Sequence, residues 1–131
     1  MKRVSTGSVA IEFALIIPIL IIVLFSVIQI SSLLYMRHTL LNISYNAARI
    51  AATNTNTTNT TIKATIEEQL NNIGIFAEEV TIIPDDFTVA DRGTLIKVTI
   101  RVNAGLLVLV PIPINFDQMP ISVSTSMAKE Y

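Results

Sequence analysis

Residues 13–34 read FALIIPILIIVLFSVIQISSLL and carry no charge. As a helix the stretch would extend about 33 Å, close to a hydrocarbon core of roughly 30 Å. It is too long for the hydrophobic region of an ordinary secretory signal, and no A-x-A site follows it. A chain of 131 residues could not wrap such a helix on every side. A bilayer span over about 13–34 is therefore expected rather than the core helix of a soluble protein. Pro18 lies inside it and offers no N–H to the carbonyl of Ala14. Pro18 is either a tolerated membrane-helix proline or the site of a helix kink that aids packing.

Beyond the span the apolar positions change rhythm. Leu33, Met36, Leu40, Ile43, Ala47 and Ile50 recur at spacings of three and four, whereas Arg37, His38, Asn42, Asn46 and Arg49 fall between them. That spacing predicts an amphipathic continuation of the same helix to about Ala52, with its stripe laid on a domain. One helix over 8–52 would be about 68 Å long. Residues 53–61, TNTNTTNTT, have no apolar face and read as a linker. Ile62, Ile66, Leu70 and Ile73 then predict a short helix with Thr61 as N-cap and Gly74 as its C′ stop. Residues 78–83 read as a strand ended by Pro84-Asp85-Asp86, and Asp91-Arg92-Gly93 as a turn. Over 94–103, Ile96, Val98, Ile100 and Val102 alternate with Lys97, Thr99 and Arg101, the mark of a half-buried strand. Ile121, Val123, Thr125 and Met127 repeat it in a last strand. The expected fold class is α+β: one long N-terminal helix, transmembrane in its first half, packed on a small antiparallel sheet with one short extra helix. Residues 106–116, LLVLVPIPINF, are too short to span a bilayer and are broken by Pro111 and Pro113. They read either as a buried connection under the sheet or as an exposed apolar patch for a partner.

Charge and composition narrow the function. A formal net charge of −1, with basic residues scattered, gives no footprint for nucleic acid. With no cysteine, disulfides, thiolate metal sites and cysteine nucleophiles are excluded. His38 is the only histidine and falls on a polar helix face, so no Ser-His-Asp set can form. Asp85, Asp86 and Asp91 fit no calcium loop and read as solvated turn residues. No phosphate-binding glycine motif is present. The expectation is no enzyme, no catalytic residue, no metal, no cofactor and no small-molecule substrate.

The most informative stretch lies at the membrane edge: Lys2-Arg3, then Gly7-Ser8-Val9-Ala10-Ile11-Glu12-Phe13, then the span. A carboxylate on an otherwise apolar helix costs up to about 3 kcal/mol at the bilayer centre and less near the edge, and such groups have partners. Cleavage after Gly7 would supply one. Ser8 would gain a free ammonium, and Glu12 would stand fifth in the shortened chain, one helical turn away. In a bundle, a neighbour's ammonium could meet this carboxylate where an unpaired charge is penalised, which would set subunit register.

GSVAIEFALIIP resembles the processing site of type IV pilin-like proteins and, more narrowly, the TadE-like minor pseudopilins of tight-adherence (Tad/Flp) pilus systems. RHTLLNISYNAARIAA over 37–52 and ISVSTSMAKEY over 121–131 are similar to the family's post-span segment and final strand. Ala48 stands near where the family pattern suggests glycine. The resemblance implies a leader at 1–7 with Lys2 and Arg3 as its basic part, and prepilin peptidase cleavage between Gly7 and Ser8. It also implies Glu12, followed by Phe13, as the recognition and assembly glutamate. The implied partners are the lipid bilayer, the prepilin peptidase and other pilin-like or pilus assembly subunits. The organisation expected is leader 1–7, long helix 8–52, linker 53–61 and a small extracytoplasmic domain 62–131. The protein would sit in the cytoplasmic membrane, single-pass, with its N-terminus cytoplasmic. The alternative is an uncleaved single-pass membrane protein whose small extracytoplasmic domain binds or senses.

Overall fold

A computed structural model describes residues 6–54, 56–103 and 120–130. Helix α1, Thr6–Thr53, is continuous through Pro18 and extends about 72 Å at 1.5 Å per residue. Isoleucine and valine are poor helix formers in water, but an apolar surrounding leaves the backbone no partner other than itself. The hydroxyls in the apolar part are satisfied in the same way. Ser26, Ser31 and Ser32 donate to the carbonyls of Ile22, Val27 and Ile28 at 2.7, 2.8 and 3.0 Å.

Helix α2, Asn59–Asn72, returns alongside the distal half of α1 and buries Ile62, Ile66 and Leu70. Its N-cap is Thr58, not Thr61. The Thr58 hydroxyl lies 2.9 Å from those of Thr60 and Thr61. Asn59 Nδ2 donates to the Asp85 carbonyl at 2.9 Å. These contacts hold an additional stretch of helix against the loop after the first strand. The other end closes as expected at Gly74, whose φ is +73°. Gly74 N–H bonds Asn71 O at 3.0 Å and Ile75 N–H bonds Leu70 O at 2.9 Å, the Schellman pattern that satisfies the last carbonyls of a helix. Ile73 is exposed; it occupies the C-cap position, beyond the helical face that reaches the core.

Strands β1 (Ala77–Ile83), β2 (Leu95–Asn103) and β3 (Pro120–Ala128) form an antiparallel sheet in the order β1-β2-β3. Central β2 pairs Val98 with Ile82 on one side and Thr125 on the other. Its Ile96, Val98, Ile100 and Val102 are fully buried; α1 packs on β2 and β3, and α2 lies beside it against β1. Lys97 and Arg101 point the other way, exposed. Ser44 Oγ, buried on α1, donates to Val98 O at 3.1 Å.

Where α1 meets the domain, the buried positions follow Met36, Leu40, Ser44, Ala48 and Ala52, with Ile43, Ala47 and Ala51 beside them. This is an i+4 row, inclined to the helix axis by about 26°. The contact therefore drifts around the helix as it crosses the sheet. For that reason Ile50 ends on the rim, 39 % exposed, while Ala51 and Ala52 are buried. Phe87, from the loop after β1, completes the core at 1 % exposure. Residues 106–116 lie outside the described residues.

Candidate membrane-edge site

The site predicted from sequence is a short run on a single element. Helix α1 begins at Thr6, so the backbone of Gly7 and Ser8 is already helical. Ser8 and Glu12 stand one turn apart, about 6 Å along the axis. Glu12 and Phe13 are exposed, with Phe13 at 64 %. Lys2 and Arg3 lie outside the described residues. Among the described residues of α1, then, four of the predicted positions (Gly7, Ser8, Glu12 and Phe13) share the first two turns of one continuous helix. Pro18 follows without interrupting it.

Exposure along this part of α1 decides its environment. Every large apolar side chain from Val9 to Ile30 is exposed, and the most apolar stretch of the helix has no part buried by the rest of the chain. Each such side chain left in water forgoes about 1.5–3 kcal/mol. Summed over the stretch this reaches tens of kcal/mol, well beyond the roughly 5–15 kcal/mol that stabilises a typical domain. The helix is long and apolar enough to cross a membrane, and the fold leaves that part free to do so. Tyr35, 76 % exposed, stands just past the charge-free stretch, where interfacial aromatic residues collect.

Two features escaped the sequence pattern. Gln29 is buried, at 6 % exposure, although it lies within the predicted span. An amide in a charge-free run was the available signal, because polar groups at membrane depth turn toward protein. The second is the turn between α2 and β1, which lines a groove together with Ser31, Tyr35 and Thr39 of α1. Elsewhere, His38 is exposed, as are Asp85, Asp86 and Asp91. Among the described residues no group of three or more His, Asp or Glu side chains is placed to hold a metal ion.

Residues 7–49 match the family model described as TadE-like protein. No curated protein and no solved structure gives a significant match to the chain.

Proposed function

Starting from a chain that is TadE-like over residues 7–49, we propose that it is a membrane-anchored minor pilin-like subunit that supports assembly of a Tad/Flp-type pilus or a related secretion apparatus. A prepilin peptidase recognises the leader through Lys2, Arg3, Glu12 and Phe13 and cuts between Gly7 and Ser8. The α1 apolar stretch holds the protein in the cytoplasmic membrane with its N-terminus inside and its domain outside. Glu12 then meets the new Ser8 ammonium of a neighbouring subunit, which sets register between helices that otherwise have only apolar faces to offer. Pro18 loosens the helix where those neighbours pack.

One observation carries this reading. The family match opens at Gly7, the first residue of the Gly-Ser-Val-Ala-Ile-Glu-Phe run, and continues through the exposed apolar helix into the segment packed on the domain. Intact-mass measurement of the protein made with and without its cognate peptidase tests it. The expected product begins Ser-Val-Ala-Ile-Glu, and Gly7→Val abolishes the shortening by crowding the scissile bond. A chain that keeps residues 1–7 in cells making the peptidase overturns processing and leaves a plain membrane-anchored domain that binds or senses.

A further inference from the structure

The predicted span and the domain overlap along α1. The charge-free stretch runs to Leu34, yet Gln29 is already buried and Ser31 and Ser32 line one groove with Ile73, Gly74 and Ile75 of the domain. If residues 13–34 fill the hydrocarbon layer, the domain's near end cannot stand clear of it. Residues 29–34 cover about 8 Å of helix, so whatever packs on them lies at the depth of the bilayer edge.

Facing them across a groove is the α2–β1 turn. Ile73, Gly74 and Ile75 form one wall of an apolar groove of about 750 Å³ whose other wall is α1, from Val27 and Ile28 up to Tyr35 and Met36. The turn's outer rim is apolar as well: Ile73 is 47 % and Phe76 67 % exposed. Asn71, Asn72 and Glu78 flank it and are exposed, which suits the headgroup layer. The outer face of the sheet, by contrast, carries Lys97, Arg101, Ser122, Ser124 and Ser126.

We propose that the α2–β1 turn is a second membrane contact. Ile73 and Phe76 enter the interfacial layer of the leaflet from which the domain emerges, and a lipid acyl chain occupies the groove between the turn and α1. The groove is continuous with the lipid-facing surface of the span, since Val27 and Ile28 belong to both. A solitary α1 would leave the domain free to swing about its exit point. Two contacts, with burial starting below the membrane edge, fix the domain's tilt and hence the direction in which it is presented to a neighbour. The inference rests on α1 being the membrane anchor.

The chain contains no tryptophan, so a single one reports its own surroundings. Full-length variants Phe76→Trp, Phe25→Trp and Val89→Trp would be reconstituted in phosphatidylcholine–phosphatidylglycerol vesicles with and without bromine on the acyl chains. Val89 is 80 % exposed and lies in the loop that meets the N-terminal end of α2, the far end of the domain. The expected result is blue-shifted emission quenched by bromine for Phe25→Trp and Phe76→Trp, with red, unquenched emission for Val89→Trp. Quenching of Phe25→Trp with water-like emission from Phe76→Trp overturns the turn's membrane contact and spares the anchor. Blue-shifted but unquenched emission from Phe76→Trp means that protein covers the turn, and also overturns it. An unquenched Phe25→Trp overturns the anchor and this inference together. Equal quenching of Val89→Trp makes the contact indiscriminate and likewise defeats the proposal.

Discussion

Glu12 is the one carboxylate on α1, and its role would lie between chains. Within one chain it is exposed and interrupts nothing; in a bundle of apolar helices it would be the group that distinguishes one axial register from the next. Glu12→Gln keeps the size and removes the charge. It should insert in the membrane normally and weaken association with partner subunits by about 1–3 kcal/mol, roughly 5- to 150-fold. Co-purification with pilus components measures this, and undiminished recovery would count against the pairing. Ser44 works inside the fold instead. Its hydroxyl to Val98 O is a buried bond between α1 and the central strand, and a neutral bond of this kind contributes about 1 kcal/mol. Ser44→Ala should lower stability by that amount in a denaturant titration of the solubilised protein. Leu40→Ala, at a fully buried position, should cost about 2–5 kcal/mol because it opens a cavity. If the two variants lost equal stability, the core would not be packed around α1 as described.

At the scale of elements, what could be read from the sequence depended on how much each local pattern was asked to decide. Strand β2 was legible to within a residue because an alternation of isoleucine and valine with charged residues fits one side of a sheet and little else. Helix α1 was legible because its unbroken apolar run has the length of a bilayer span and the stripe after it keeps the spacing of a helix. The misplacements share a cause, which is contact between segments far apart in sequence. Ile50 continues the stripe on paper, but the helix crosses the sheet along an inclined row, and small alanines take the buried places. Thr58 caps α2 because Asn59 finds Asp85 26 residues away, a contact no local window contains. Phe87 gave no periodic signal, since it enters the core from a loop between aspartates. The proposed cleavage site is a different case: its residues read as a motif, while the chemistry proposed for it would need an enzyme and neighbours outside the chain. The end of α2 allows a sharp test. Gly74 has φ +73° and open space around the position of a Cβ, so Gly74→Ala meets conformational strain and no clash. A loss of about 1 kcal/mol is expected, visible as a lowered thermal midpoint. An unchanged midpoint would mean the turn relaxes out of the left-handed region at no cost.

In the whole molecule, α1 serves two environments in succession, and the division determines which parts can exist alone. From Val9 to Ile28 the helix contributes nothing to the domain's interior; from Met36 to Ala52 it supplies one layer of it. Without that layer, among the described elements, the inner face of β2 would keep as its helical neighbour α2, which packs against α1 and β1. Uncovering Ile96, Val98, Ile100 and Val102 would forfeit about 6–12 kcal/mol at 1.5–3 kcal/mol per side chain. That is comparable with the entire stability of a small domain. A chain beginning at Gln29 retains the complete burying face, and it should show mixed helix and strand by circular dichroism and unfold in one cooperative transition. A chain beginning at Thr53, at the formal end of the helix, should not fold and should aggregate. The same comparison separates the two functions of α1: the form beginning at Gln29, which folds, has lost only the anchor, whereas the form that fails has lost one layer of its core. A cooperative transition in the chain from Thr53 would show that α2 and the sheet suffice by themselves, and that the distal half of α1 rests on the domain without building it.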